Sequence, residues 1–157
     1  MKPEDRTKLV SLSPPEAAGL TAYLEARNQP ILGVTAVIFT IRNRAAHGGR
    51  GKTWQEVVFW PKQYSCWNSD DPNYNRGVQL GLQMLQGRQL RNIELETCIA
   101  IAEYIRRADR IDNPYTDVTG GAMHYYAVSI PRPAWAAEPA KLSCKIGDHA
   151  FYTGVAL

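Results

Sequence analysis

Ser13-Pro14-Pro15-Glu16-Ala17-Ala18-Gly19-Leu20-Thr21-Ala22-Tyr23-Leu24-Glu25-Ala26-Arg27-Asn28-Gln29-Pro30 is the stretch on which the fold turns. Ser13 as N-cap, proline in the first turn and Glu16 at the third helical position make a capping box. Ala17, Leu20, Ala22 and Leu24 carry an apolar helix to about Arg27, where Asn28 and Pro30 close it. Glu25 interrupts this apolar run just before the break. Burial at a helix C-terminus disfavours a negative charge, through lost solvation and through the helix dipole. A neutral carboxylic acid in a cleft is the proton donor that glycosidic bond cleavage requires. An acid on a solvated helix face fits the same segment, so these residues alone leave both readings open.

Outward from this helix, residues 31–46 are rich in Val, Ile and Thr, but Val34, Val37, Ile38 and Ile41 recur at the spacing of a buried helix. His47 to Lys52 is a glycine-rich loop without the phosphate-binding spacing. Thr53-Trp54-Gln55-Glu56 opens a short helix with a second capping box, ended by Pro61. A polar loop runs from Gln63 to about Asn75, and residues 76–87 are predicted as a helix. Residues 92–108 form the clearest helix, capped by Asn92 with Ile93, Cys98, Ile101, Ala102 and Ile105 on one face. Met123–Val128 and Ile146–Thr153 read as strands separated by Pro131-Arg132-Pro133-Ala134-Trp135. The expectation is an α+β chain, helices first and then a small antiparallel β element. Residues 1–13 read as a polar lead-in and 14–157 as a single domain.

The 157 residues suit one domain, and 45% hydrophobic with 21% charged is a globular balance. The net charge of +3 favours an anionic partner without naming one. Arg106, Arg107 and Arg110 complement a helix C-terminus and read as a solvated face, not a nucleic-acid patch. No run of 18 apolar residues exists, so membrane insertion is not expected. Met1-Lys2-Pro3-Glu4-Asp5-Arg6 lacks the apolar core of a signal peptide, so synthesis in the cytoplasm is expected. Cys66, Cys98 and Cys144 are far apart and no C-x-x-C occurs, which argues for a reducing compartment and against a zinc ribbon. His47, His124 and His149 fall in no H-E-x-x-H spacing, so neither metal nor cofactor is expected.

Two further segments carry chemistry. Gln63-Tyr64-Ser65-Cys66-Trp67-Asn68 combines aromatic faces with amide and hydroxyl groups, the two things a sugar chain requires. A loop anchored in the core by Trp67 fits it equally well. Asp117-Val118-Thr119-Gly120-Gly121-Ala122 is a turn leading into Met123-His124-Tyr125-Tyr126, where paired glycines allow a close approach. Asp117 and Thr119 are equally able to bond local amides. His149 either fixes the last hairpin or lines the cleft.

Taken in order, these pieces resemble the SleB-type cell wall hydrolases, the spore cortex-lytic family that also includes phage lysins. Tyr23-Leu24-Glu25-Ala26-Arg27 is similar to its Y-G-E-A-R motif, with Leu24 in place of glycine. Ile41-Arg42-Asn43-Arg44 resembles its apolar helix closing on N-R. Val57-Val58 and Gln63-Tyr64-Ser65-Cys66-Trp67 resemble its V-V and Q-F-S-x-W segments, with Tyr64 for Phe. Asp117 to Tyr126 resembles D-x-T-x-G-A-x-x-Y, and Trp135 with Ile146 to Tyr152 resembles P-x-W and I-G-x-H-x-F-Y. The likeness spans about residues 16–153.

The resemblance implies a lysozyme-like fold and peptidoglycan glycan strands as the partner. The bond implied is that between N-acetylmuramic acid and N-acetylglucosamine. Glu25 is implied as the catalytic acid of a lytic transglycosylase. One carboxyl group protonates the leaving oxygen, then takes the proton of the muramoyl 6-hydroxyl as a 1,6-anhydro ring closes. Gln63, Tyr64, Ser65, Trp67, Thr119, Gly120, Gly121, Ala122, His124, Tyr125 and His149 are the expected cleft residues. Cortex enzymes carry a signal peptide and a peptidoglycan-binding repeat. A chain with neither looks like a monomeric phage endolysin, made in the host cytoplasm and released through a holin to act on the wall. The segment from Asn68 to Arg91 is longer than in the family core. Two other readings stand beside this one. One is a hydrolytic muramidase in which Asp117 or another acid positions water. The other is a non-catalytic module that binds glycan or nucleic acid.

Overall fold

A computed structural model describes residues 1–109 and 116–156. The chain runs α1 (Pro3–Leu9), α2 (Pro14–Ala26), α3 (Ile31–His47) and α4 (Trp54–Val58), then a 3₁₀ turn at Ser65–Trp67. α5 (Tyr74–Leu85) and α6 (Ile93–Ala108) complete the helical lobe. β1 (His124–Ala127), a 3₁₀ turn at Ala134–Ala136, β2 (Lys141–Ile146) and β3 (His149–Thr153) follow. This is the expected α+β order.

Both predicted capping boxes form. Ser13 N donates to Glu16 Oε2 at 2.7 Å, and Thr53 N donates to Glu56 Oε2 at 3.0 Å. Such a cap contributes about 1 kcal/mol. Asn92 Oδ1 accepts from Leu95 N at the start of α6. α3 ends at Gly48, whose φ of 76° is the left-handed C-cap that glycine adopts without steric cost.

α2 is the axis of the helical lobe. From Ala17 to Ala26 every residue is buried except Glu25. α6 lies directly on α2 because Gly19 has no side chain: a Cβ there would stand 2.6 Å from Ile99 Cα. α6 presents Leu95, Cys98, Ala102, Ile105 and Ala108 inward. Ile93, placed on this face by its spacing, is 79% exposed, while Leu95 in the same turn is fully buried. The N-terminal residues are not merely a polar lead-in. Pro3–Leu9 is helical, and Leu9 and Leu12 are fully buried in the main core.

The sheet has the order β1-β3-β2 and is antiparallel throughout. The predicted strand at Ile146–Thr153 is in fact the end of β2, a Gly147-Asp148 turn and β3. Gly147 takes φ 55°, which starts the tight reversal. β3 is the central strand and His149 to Tyr152 are all buried. Phe151 packs with Ala122 and with Ala36 of α3, and this contact docks the sheet on the helical lobe. Gln29 ties the two lobes at the opposite end: its Nε2 donates to Asp148 Oδ2, and its Oε1 accepts from Asp148 N. Among the described residues no helix is long and apolar enough to cross a membrane.

Candidate active site

Glu25 occupies the last turn of α2, where the helical lobe meets the sheet. Three donors converge on its carboxylate. Ser65 Oγ and Cys66 N donate to Oε1 at 3.1 and 2.9 Å. Tyr125 Oη donates to Oε2 at 3.0 Å. The first two come from the 3₁₀ turn of the helical lobe and the third from β1, so Glu25 bridges both walls of a cleft. The cleft has a volume of about 480 Å³ and is lined further by Arg44, Gln63, Tyr64, Tyr126, Trp135 and His149. Glu25 is the sole carboxylate among these lining residues.

The supporting groups are held in defined protonation states. Burial, and next the Glu25 carboxylate, keep the Tyr125 phenol well above its ordinary value, so it remains a donor. Burial, and next Glu25, likewise keep Cys66 a thiol, which removes it as a nucleophile at neutral pH. Burial lowers the His149 pKa, against the opposing pull of Glu25 and Asp148. The His149 ring stands edge-on to Tyr125, with centroids 5.0 Å apart, and Phe151 backs Tyr125 at 5.4 Å. These contacts fix the direction of the Tyr125 hydroxyl.

The structure divides the residues expected in the cleft. Gln63, Tyr64, Ser65, Tyr125 and His149 line it together with Glu25. Trp67 does not: it is 2% exposed, donates its indole Nε1 to Thr21 Oγ1 and packs edge-on against Phe59. This is the core-anchor alternative, and α5 reinforces it by passing Gly77 across the Trp67 ring. Thr119 and Ala122 are fully buried, and neither they nor Gly120 and Gly121 border the cleft. Their turn is built around Asp117. Asp117 Oδ1 accepts from Thr119 N and Oγ1, and Oδ2 accepts from Gly121 N and Asn43 Nδ2. Asn43 also donates to the carbonyl of Ala122 at 3.0 Å, which fastens the turn to α3. His124 faces a neighbouring cavity with Arg44 and Arg50.

Tyr126, Trp135 and Arg44 are among the cleft residues that escaped the sequence reading of the site. Tyr126 lines it although Tyr125 does too, because β1 is the edge strand and both of its faces border the opening. Trp135 stacks edge-on against Tyr126 and Tyr152, with centroids 5.9 and 5.7 Å apart, and offers a half-buried aromatic wall. Its position after a proline pair was the available signal. Arg44 is 4% exposed and packs its guanidinium 4.8 Å over the Tyr64 ring. In sequence it was only the last residue of an apolar helix.

The site is thus a single carboxylate held between a helical lobe and an aromatic-walled sheet. Residues 28–152 match the model of the Cell Wall Hydrolase family, and the chain belongs to that family of peptidoglycan-degrading enzymes. The match begins at residue 28, just past Glu25. No curated protein sequence matches the chain. Among solved structures it is similar to the catalytic domain of the Bacillus cereus SleB protein. The TM-score there is 0.60 at 22% identity, covering 89% of each chain. It is also similar to the catalytic domain of the germination-specific lytic transglycosylase SleB from Bacillus anthracis. That TM-score is 0.58 at 22% identity, covering 91% of this chain and 98% of the other. The lysozyme-like α+β fold is therefore shared.

Proposed function

We propose that this domain is a peptidoglycan lytic transglycosylase with Glu25 as its general acid and base. The observation that carries the reading is one carboxylate, clamped by donors from both lobes, in a cleft lined by no second acid among the described residues. Hydrolysis with inversion requires a second carboxylate to activate water, and retention requires one as nucleophile. Intramolecular attack by the muramoyl 6-hydroxyl requires neither.

In the acid form the proton belongs on Oε2. Oε1 faces the Cys66 amide, which can only donate, whereas the Tyr125 hydroxyl facing Oε2 can turn and accept. Glu25 gives this proton to the glycosidic oxygen as the bond from C1 breaks. The carboxylate then takes the proton of the 6-hydroxyl, and O6 bonds to C1 to close the 1,6-anhydro ring. The acid is regenerated, and no water enters the balance. Tyr126 and Trp135 supply aromatic faces for the sugar rings, and Gln63 and Ser65 supply polar groups for their hydroxyls.

Digestion of purified peptidoglycan followed by mass spectrometry tests this. Anhydromuramoyl ends are expected, and Glu25→Gln should fold normally while losing essentially all lytic activity. Reducing ends formed by water addition would replace the reading with a hydrolytic muramidase. Binding to wall without any clearing would make the domain a glycan-binding module.

A further inference from the structure

Beside the Glu25 cleft lies a second cavity of about 390 Å³ that shares Arg44, Gln63, Tyr125 and Trp135 with it. Resting on the transglycosylase reading above, we infer that this cavity is a subsite for a free carboxylate of the peptide carried by the muramic acid residue at the scissile bond.

Charge is the first argument. Arg44, Arg50 and Lys62 line the cavity with Val155 and Ala156, and among the described residues no carboxylate lines it. The ion pairs among the described residues are Arg42–Asp109 and Arg107–Glu103, so none of the three cations has an ion-pair partner among the described residues. His124, also in the wall, adds no charge. Burial first, then Arg44 and Arg50, push its pKa down to about 4.

Arg44 is the second argument. A guanidinium that is 4% exposed is costly unless it is paired and hydrogen-bonded. Its Nε donates to the Met123 carbonyl, but its buried Nη1 has no hydrogen-bond partner. Arg44 lines both cavities, so its guanidinium lies between the Glu25 cleft and the cationic cavity. Arg50 Nη1 donates to Gln63 Oε1 at 3.2 Å, which holds the second cation at the same junction.

The neutral sugars of a glycan strand have no use for three cations. The anions closest to a muramoyl glycosidic bond are the carboxylates of the peptide on its lactyl group. An arginine fork with a lysine beside it matches such a carboxylate.

Kinetics on two substrates test the inference. One is purified peptidoglycan freed of secondary phosphate polymers, and the other is the same material stripped of its peptides by an amidase. The wild-type domain should show a KM at least tenfold lower on the peptide-bearing strands, with a smaller change in kcat. In Arg50→Ala/Lys62→Ala the ratio of the two KM values should collapse toward one. Equal wild-type KM values on both substrates, or a preference that survives in the double variant, would overturn the subsite. A wild-type preference that appears only when the phosphate polymers are left in place would also overturn it, by assigning the cations to phosphate. Absence of cleavage of either substrate would instead bring down the transglycosylase reading, and the subsite with it.

Discussion

Tyr125 Oη lies 3.0 Å from Glu25 Oε2, a hydrogen bond between residues 100 positions apart. It closes the cleft from the sheet side, and it places a rotatable hydroxyl on the oxygen assigned to carry the proton. Tyr125→Phe should keep the fold, because the ring still packs on Phe151 and His149. Loss of one hydrogen bond to a charged group is worth roughly 1.5–3 kcal/mol, on the order of tenfold to a hundredfold in kcat. Initial rates of wall solubilisation at saturating substrate check this. An unchanged kcat would remove Tyr125 from the chemistry.

Asp117 is the acid named in the hydrolytic alternative, and the structure engages both of its oxygens in the turn before β1. Asp117→Asn sets an amide NH₂ against the donors of Gly121 and Asn43 if its oxygen stays toward Thr119. The expected result is a loss of about 1–3 kcal/mol in stability, or several degrees in Tm. Activity measured well below the new Tm should be largely retained. Abolished activity in a folded Asp117→Asn protein would revive the water-activating acid.

Trp67 and Trp135 should separate cleanly in mutagenesis. Trp67 fills the core between Thr21, Phe59 and α5, so Trp67→Ala should cost about 3–5 kcal/mol of stability. Trp135 is half-buried at the cleft, so Trp135→Ala should chiefly raise KM, by roughly tenfold, with a smaller effect on unfolding. Thermal denaturation and KM measured on both variants decide it, and the reverse pattern would place Trp67 at the substrate.

Half-buried His124 and buried His149 predict a stability loss in mild acid. The His124 pKa is depressed from 6.5 to about 4 in the folded state, chiefly by burial, and that of His149 is depressed in the same direction. Above pH 6.5 the His124 ring is neutral whether folded or unfolded, and its contribution is constant. As pH falls from 6.5 toward 4 the unfolded chain binds the proton and the folded chain does not, so stability drops across that window. Tm recorded from pH 7 to pH 4 should fall less steeply in His124→Gln than in the wild type. Parallel slopes would mean that His124 is solvated in the folded protein.

Sequence alone was enough to locate the helices from α2 onward, though not α1, and the reason is local. The capping pairs Ser13 with Glu16 and Thr53 with Glu56 lie three residues apart, and an apolar helix face repeats within one or two turns. Glu25 was legible for the same reason: one acid in an otherwise buried segment is visible without any tertiary contact. The strand boundaries in the last third were less so, because the Gly147-Asp148 reversal lies inside a continuous apolar and aromatic run.

What only the tertiary structure decided was which polar and aromatic residues face the cleft. Thr119 and Asp117 have the chemistry to hold a sugar, but the same oxygens bond their own turn and Asn43, 74 positions away from Asp117. Trp67 has an aromatic face, but Thr21, 46 positions away, takes its indole N–H into the core. Arg44 ends an apolar helix in the sequence, yet packing turns it into a buried cation between two cavities. A side chain's chemistry is written in its residue type. Whether that chemistry is spent on the fold or offered to a substrate depends on partners that folding brings from distant parts of the chain.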